Sequence, residues 1–213
     1  MNVLIMCESS GALRDRFFDA GHNVYSVDLL PGEGVAVHRH IVNYGENVLS
    51  GHAFELPNGK RVWPNYWDLM IAHPPCTYLA SSGLHWNKRR PERAAQTEQA
   101  LRFVHFLMGQ PIERIAIENP IGCISSRIRK PDQIVQPWYY GDDASKSTCW
   151  WLKNLPLLQD TNRLPGDRST RRANQTPSGQ NKLGPSADRW KLRSATYPGM
   201  ADAIVDQWGA VIS

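Results

Sequence analysis

Short apolar runs alternate along the chain with stretches of amphipathic helical spacing. The runs NVLIM, NVYSVD, YWDLMIA and RIAIENP predict four buried β-strands, and STCWWL is a candidate fifth strand. Between the first two, ALRDRFFDAG has apolar residues at Leu13, Phe17 and Ala20 and ends in a glycine, which predicts a helix. The segments RPERAAQTEQALRFVHFLMGQ and PGMADAIVDQWG predict a long helix and a closing amphipathic helix. Alternating strands and helices predict an α/β fold, with a mostly parallel sheet and helices on both faces.

Residues capable of chemistry follow the predicted strands at the points where the strands end. They are residues 7–11 after the first strand, Asp28 at the end of the second, residues 73–76 after the third and residues 118–119 at the end of the fourth. Open parallel sheets bind ligands at the carboxyl ends of their strands, near the point where the strand order reverses. The sequence therefore predicts a single site at this edge of the sheet.

The length and composition are those of one globular domain, which we expect to span residues 1–213. Hydrophobic residues make up 41% and charged residues 21%, as is typical of a soluble protein. No apolar run approaches the ~20 residues of a membrane helix, and the first residues do not resemble a signal peptide. We therefore expect a cytoplasmic protein that does not associate with a membrane.

The four cysteines, Cys7, Cys76, Cys123 and Cys149, are widely scattered. They form no CxxC pair and no cysteine–histidine cluster with the spacing of a zinc site. The sequence therefore predicts neither a disulfide framework nor a metal site.

Positive charge is concentrated near the end of the chain. The net charge of the whole chain is +4, but residues 160–193 contain eight basic residues against three acidic ones. Residues 160–190 contain almost no large apolar side chains, which predicts a long basic loop that is either functional or flexible. Such a segment suits a polyanion such as nucleic acid, and it equally suits a solvated surface loop.

The two prolines after the third predicted strand draw attention to Cys76. Pro74 and Pro75 cannot donate hydrogen bonds to a strand ladder, so they end the strand and orient the next side chain out of the sheet. A thiol held there beside a helix N-terminus is expected to have a lowered pKa and to act as a nucleophile. The alternative is a loop cysteine packed under the residues that follow it.

Glu118 lies at the end of the fourth predicted strand. Burying its carboxylate costs free energy unless the group is paired with another side chain or serves in catalysis. Together with a nucleophilic Cys76, it suggests attack of a thiolate on C6 of a pyrimidine while a carboxylic acid at N3 stabilises the charge. The activated C5 could then take a methyl group from a sulfonium donor. An ion pair of Glu118 with Arg14 or Arg127 is the alternative interpretation.

The first turn, CESSG, is built of small residues that let backbone amides approach a ligand. Asp28, at the end of the next strand, can accept hydrogen bonds from two ribose hydroxyls. The turn lacks the G-x-G-x-x-G pattern of dinucleotide binders, so we do not expect pyrophosphate binding. An adenosine ligand without phosphates is compatible with this turn.

The ordered set CESSG, VYSVD, HPPCTYLASSG and IENP resembles the cytosine-C5 DNA methyltransferases, in particular short proteins of this kind carried by phages and prophages. The resemblance implies a Rossmann-like class I methyltransferase fold, with S-adenosyl-L-methionine as the cofactor and, for a phage protein, the host cytoplasm as its location. It implies that Cys76 is the nucleophile, that Glu118 contacts N3 and the amino group of cytosine, and that Asn119 helps to orient the catalytic loop. The implied cofactor contacts are Cys7, Glu8, Ser9, Ser10, Gly11, Asp28 and Pro74.

The chain also departs from the family. His73, Thr77 and Pro120 stand where the family has Gly, Gln and Val, and there is no room for a separate target-recognition domain. Base flipping from DNA would then need the basic segment, a protein partner or a second copy of the chain. The expected nucleic-acid contacts are Lys88, Arg89, Arg90, Lys146, Arg171 and Arg172. Trp86 could stack on an unpaired base if it is exposed, although most tryptophans fill protein cores.

Other functions stay open at this point. The substrate could be a free pyrimidine nucleotide or a single strand instead of duplex DNA. The chain could instead be a catalytically silent nucleic-acid binder, for which we would expect Cys76 or Glu118 to be lost. An amino-group methyltransferase would need a hydrogen-bond acceptor before the prolines and an aromatic residue after them, which His73 and Cys76 do not supply well.

Overall fold

The computed structural model describes residues 1–187 and 189–212, with the exception of the side chains of Trp190 and Ile212. Asp188 and the side chain of Trp190, which belong to the basic segment, therefore lie outside the described residues.

The described part of the chain contains one large sheet and one small hairpin. In chain order the strands are β1 (Asn2–Met6), β2 (Asn23–Asp28), β3 (His40–Val42), β4 (Phe54–Glu55), β5 (Arg61–Val62), β6 (Leu69–Ala72), β7 (Arg114–Pro120), β8 (Gln133–Val135) and β9 (Thr148–Lys153). The large sheet has the order β3-β2-β1-β6-β7-β9-β8, and β4 and β5 form the hairpin. Within the large sheet β9 is antiparallel to both of its neighbours, while the other neighbouring strands pair in parallel.

Two long helices and several short ones surround the sheet. They are α1 (Arg14–Asp19), α2 (Gly45–Leu49), α3 (Ser81–Leu84), α4 (Pro91–Met108), α5 (Ile124–Arg127), α6 (Arg189–Ser194) and α7 (Pro198–Gly209). On one face of the sheet Leu101, Val104 and Leu107 of α4 join a hydrophobic cluster with β6 and β7. On the other face Phe17 of α1 and Trp208 of α7 join a second cluster. The fold is therefore α/β with helices on both faces, as predicted.

The five predicted strands correspond to β1, β2, β6, β7 and β9, and the predicted helices correspond to α1, α4 and α7. The sequence did not predict β3, β8, the β4–β5 hairpin or the remaining short helices. These elements are only two to six residues long, too short for an apolar repeat to stand out from its surroundings.

The predicted basic loop is held against the rest of the protein by several hydrogen bonds. The amide of Leu164 donates to the carbonyl oxygen of Trp138 at 2.9 Å, and the amide of Asn162 donates to that of Tyr139 at 3.2 Å. The side chain of Asn174 bonds both the amide and the carbonyl group of Ser145, at 2.9 and 3.1 Å. The segment therefore follows the edge of the sheet near β8 and β9 before α6 begins.

The strand order reverses between β1 and β6, which pair directly in the middle of the sheet. The chain runs from β1 outward through β2 to β3, and from β6 outward to β7 on the other side. The amide of His73, just after β6, continues this pairing by donating to the carbonyl oxygen of Met6 at 3.0 Å. The loops after β1, β6 and β7 therefore meet at the reversal point, where ligands bind in open α/β sheets.

Candidate active site

The loop after β6 presents Cys76 at the surface. Cys76 opens a single turn of 3-10 helix, Cys76–Tyr78, directly after Pro75, and it is exposed. Helix α4 fixes this loop from behind, since Arg93 donates to the carbonyl oxygens of Thr77 and Gly83 at 2.7 and 3.2 Å. The loop is therefore held in place by side chains outside it.

The loop after β7 is bonded to the loop after β6. The amide of Ser81 donates to the carbonyl oxygen of Ile121 at 3.0 Å, and the amide of Cys123 donates to that of Leu79 at 2.9 Å. Gly122 lies between these bonds, where a Cβ atom would collide with the carbonyl oxygen of Leu79. Because β6 and β7 are also parallel neighbours, the two loops lie at the same edge of the sheet.

Glu118 is paired with His73, which the sequence did not predict. The His73 Nδ1 to Glu118 Oε2 distance is 3.2 Å, and the two side chains are only 14% and 13% exposed. Neither arginine of the alternative interpretation pairs with Glu118, since Arg14 contacts Asp15 at 2.9 Å and Arg127 contacts Glu98 at 3.0 Å.

The pairing with His73 decides the charge of Glu118. Burial alone raises the pKa of the Glu118 carboxyl, but the His73 hydrogen bond and the nearby charges of Lys146 and His73 hold the pKa below its usual range. Glu118 is therefore ionised at neutral pH.

The prediction of a lowered pKa for Cys76 is wrong. Partial burial of the sulfur and the negative charge of Glu118 raise the pKa of the Cys76 thiol above its usual value, although Lys146 and Arg193 act in the opposite direction. The α-helix that follows it, α3, is four residues long. Because the charge of Glu118 raises the pKa of the Cys76 thiol, the two groups interact electrostatically.

Asn119 joins the strand carrying Glu118 to the loop carrying Cys76. Its side chain is buried, and its Nδ2 donates to the carbonyl oxygen of Pro74 at 2.7 Å. Its Oδ1 is also buried and has no hydrogen-bond partner among the described residues. The contact to Pro74 fixes the start of the loop that carries Cys76.

The turn after β1 has an unusual backbone at both ends. Cys7 has a φ of 59° and Gly11 a φ of 75°, so the chain reverses sharply out of the strand. The Cys7 thiol is turned into the protein, where burial and the charges of Asp28 and Glu46 raise its pKa to about 12. Any contact from Cys7 to a ligand would therefore come from its backbone.

The carboxylate of Glu8 is hydrogen-bonded inside the protein. The side chain is buried and accepts hydrogen bonds from the amides of Leu13 and Arg14, at 2.6 and 3.3 Å, at the start of α1. Burial raises the pKa of this carboxyl, while these bonds and His73 oppose the rise. Ser9 and Ser10 are half-buried beside it and lie closer to solvent.

Asp28 ends β2 with its side chain partly exposed. Its Oδ1 accepts a hydrogen bond from the amide of Leu30 at 2.9 Å, and no hydrogen bond to Oδ2 is found among the described residues. Leu29 and Leu30 next to it are both exposed. A free carboxylate oxygen beside exposed apolar side chains fits a ligand that combines ribose hydroxyls with a flat aromatic base, as S-adenosyl-L-methionine does.

The predicted nucleic-acid contacts divide into exposed and enclosed residues. Lys88, Arg89, Arg90 and Arg171 are exposed. Lys146 is half-buried, and its ammonium group donates to the carbonyl oxygens of Ser194 and Ala195 at 3.4 and 3.3 Å. It therefore ties the segment after α6 to the site.

Arg172 corrects one of these predictions. It is 5% exposed, its guanidinium carbon lies 4.5 Å from the ring centre of Trp138, and its Nη2 donates to the carbonyl oxygen of Pro165 at 3.0 Å. It cannot reach a phosphate without leaving these contacts. Arg172 therefore holds the basic loop in place and is not a nucleic-acid contact.

Sequence analysis placed His73 at this edge of the sheet but did not predict its pairing with Glu118. The signal was present, because His73 stands where the resembling family has a glycine, directly before the two prolines. Its Nε2 is buried without a hydrogen-bond partner among the described residues, and its ring lies 6.3 Å from that of Trp150.

The described residues contain neither a cluster of metal ligands nor a membrane-spanning helix. No group of three or more His, Cys, Asp or Glu side chains there is placed to hold a metal ion. None of the helices in the same residues combines the length and apolarity needed to cross a bilayer. All four cysteines are free thiols.

No protein-family model and no curated protein matches the chain. Among solved structures, the chain is similar to a prophage-encoded protein of E. coli that is provisionally described as a DNA modification methyltransferase. The identity is 16% and the TM-score 0.42, with 78% of this chain covered. The chain spans about half the length of that structure, 52% of it.

Proposed function

We propose that the chain is an S-adenosyl-L-methionine-dependent methyltransferase that acts at C5 of cytosine in DNA, with Cys76 as the nucleophile. The observation that carries the proposal is that Cys76, in the loop after β6, and Glu118, near the carboxyl end of β7, lie at the same edge of the sheet, where the loops after the two strands are hydrogen-bonded to each other. The effect of Glu118 on the Cys76 pKa supports the same arrangement.

The protonation states of Cys76 and Glu118 suit the first step, which is attack of the sulfur on C6 of cytosine. At neutral pH Cys76 carries its proton and Glu118 does not, because the pKa of the thiol is raised and that of the carboxyl is lowered. Attack on the base forms a bond from the sulfur to C6, moves the electrons of the ring to N3 and needs a proton there. Glu118 can accept the thiol proton and deliver it to N3, so that a single carboxylate serves as base and then as acid.

Methyl transfer to C5 follows, and release of the base then reverses the addition of the sulfur. S-adenosyl-L-methionine supplies an electrophilic methyl group for C5 when it is bound. The C5 proton then passes to solvent water, the bond from C6 to the Cys76 sulfur breaks, and N3 returns its proton through Glu118. Asn119 keeps the loop in position throughout by its bond to the carbonyl oxygen of Pro74.

The proposed cofactor site is the turn of residues 7–11 together with Asp28. The backbone of the turn and the side chains of Ser9 and Ser10 would line the methionine part of the cofactor. Asp28 would accept hydrogen bonds from the ribose hydroxyls through its free carboxylate oxygen. Pro74 would contribute only its ring, since its carbonyl oxygen is engaged by Asn119.

Nucleic acid is the proposed partner because of the exposed basic residues beside the catalytic loop. Lys88, Arg89 and Arg90 follow that loop directly, and Arg171 lies in the basic segment. A protein partner or a second copy of the chain would supply target recognition.

The test is covalent trapping with substrates that contain 5-fluorocytosine. Fluorine cannot leave C5 as a proton does, so the C6–sulfur bond persists after methyl transfer. We expect the wild-type chain with S-adenosyl-L-methionine to form an adduct with DNA that survives denaturing electrophoresis, and Cys76→Ser to form none. Cys123→Ser is the matched control, because that thiol neighbours Arg127 and Glu98 and should leave trapping unchanged.

The same assay separates the alternatives. Duplex DNA, single-stranded DNA, RNA and dCMP are offered in parallel, and an adduct with dCMP alone would make the substrate a free nucleotide. If wild type forms no adduct with any of the four, the cysteine mechanism is wrong, and the chain is a binder or a different enzyme.

A further inference from the structure

A tryptophan beside the catalytic loop is exposed. Trp86 is 40% exposed, whereas Trp67, Trp150, Trp151 and Trp208 are fully buried in the core. Its ring is tilted against that of His85, with the ring centres 4.9 Å apart. Part of the aromatic ring is therefore accessible to a ligand, in the segment that follows the loop carrying Cys76.

Two arginines lie over this ring, and a lysine precedes them in the chain. The guanidinium carbons of Arg89 and Arg90 lie 5.9 and 5.1 Å from the ring centre of Trp86, and Lys88 precedes them. Among the described residues, none of these three side chains forms an ion pair with a carboxylate. We call residues 85–90 the Trp86 platform.

Helix stability does not explain these charges. Arg90 is the N-cap of α4, and Lys88 and Arg89 come just before it. The amino end of a helix carries a partial positive charge, so basic residues there are unfavourable unless an anion neutralises them. The observation favours an anionic ligand on the platform over a merely solvated first turn.

The platform is rigidly connected to the catalytic loop. Asn87 donates to Thr97 Oγ1 at 2.9 Å, and that hydroxyl donates to the carbonyl oxygen of Tyr78 at 3.0 Å. Arg93 bonds the carbonyl oxygens of Thr77 and Gly83 on the same helix face. Trp86 is therefore held at a defined position relative to Cys76.

We propose that the Trp86 platform binds an unpaired base of the substrate strand by stacking on Trp86, so that the preferred substrate is single-stranded nucleic acid. The inference rests on the proposed function, because it concerns the strand that carries the target cytosine. A base in a duplex has both faces covered by its neighbours, whereas a base in a single strand is free to stack on an aromatic side chain. Arg89, Arg90 and Lys88 would then contact the phosphates on either side.

The test compares binding of one labelled 12-nucleotide DNA as a single strand and as a duplex, by fluorescence anisotropy with the full chain and without cofactor. We expect the single strand to bind more tightly. Trp86→Leu should weaken single-strand binding by about 5- to 150-fold, which corresponds to about 1–3 kcal/mol for one stacked base. Trp86→Phe, which keeps an aromatic face, should recover most of the loss.

Trp63→Ala is the matched control. Trp63 is 55% exposed but lies before β6, at the opposite end of that strand from Cys76, and its removal should leave binding unchanged. The double variant Arg89→Ala/Arg90→Ala should reduce the slope of log affinity against log salt by about 0.7 for each lost phosphate contact.

Several outcomes would overturn the inference. They are equal binding of duplex and single strand, an affinity of Trp86→Leu equal to that of wild type, and absence of binding to either DNA. Trapping at Cys76 is measured separately, so an enzyme that forms adducts but binds without Trp86 would refute the platform and leave the proposed function in place. A chain that binds through Trp86 but forms no adduct would refute the mechanism instead.

Discussion

The pair formed by His73 and Glu118 makes a quantitative prediction about stability. The two side chains are almost enclosed, and their contact of 3.2 Å joins a ring nitrogen to an ionised carboxylate. Hydrogen bonds to charged groups contribute about 1.5–3 kcal/mol when they are shielded from water. An exposed ion pair contributes only about 0.2–1 kcal/mol, because water and salt screen it.

A double-mutant cycle isolates this contribution from the effects of truncating each side chain. We expect His73→Ala and Glu118→Ala to show a coupling of about 1.5–3 kcal/mol in the free energy of unfolding at pH 7. The free energies are measured by urea denaturation of wild type, both single variants and the double variant. The exposed pair of Arg127 and Glu98, whose side chains are 52% and 48% exposed, is the control and should show a coupling of about 0.2–1 kcal/mol.

The coupling should also depend on pH in a defined direction. The folded-state pKa of Glu118 lies below its usual value, so the stabilisation is present at neutral pH and is lost as the pH falls through the folded-state pKa. A coupling at pH 7 no larger than that of the control pair would refute the reasoning. A coupling that grew as Glu118 became protonated would contradict the assignment of an ionised carboxylate.

Two further predictions concern the catalytic loop. Gly122→Ala should destabilise the protein by more than about 1 kcal/mol in urea denaturation, because the new Cβ would collide with the carbonyl oxygen of Leu79; an unchanged midpoint would mean that the two loops are not bonded as described. Alkylation of Cys76 by iodoacetamide, followed by mass spectrometry, should be slow at neutral pH and accelerate in the alkaline range, because burial and Glu118 raise the thiol pKa. Glu118→Gln removes one negative charge and should shift this acceleration to lower pH. An unshifted profile would mean that the charge of Glu118 does not act on the Cys76 thiol.

The sequence was sufficient to predict which residues meet at one edge of the sheet. Apolar runs of strand length ended at Met6, Asp28, Ala72 and Pro120, and the carboxyl ends of parallel strands must share one edge of the sheet. This rule depends only on the alternation of strands and helices, which is written locally in the chain. The α/β fold could be predicted for the same reason.

The charge states of the site could not be predicted in the same way. Cys76 was expected to have a lowered pKa from its place in the chain, yet the pKa depends on the burial of the sulfur and on Glu118, which is distant in sequence. The partner of Glu118 could not be predicted for a related reason: the sequence offers two arginines, whereas the structure pairs Glu118 with a histidine 45 positions away. Pairing of this kind is decided by the register of β6 against β7.

Exposure was the other property that only the tertiary structure decided. Arg171 and Arg172 are neighbours in one basic segment, but Arg171 is exposed while Arg172 is enclosed against Trp138. Trp86 is likewise one of eight tryptophans in the sequence, and only its surroundings distinguish it from those in the core. Local periodicity records which faces of an element are apolar. The sequence was therefore enough to predict the main strands and helices and their order along the chain. Burial, pairing and pKa depend on atoms brought together from distant parts of the chain, so they were determined only by the packing of those elements.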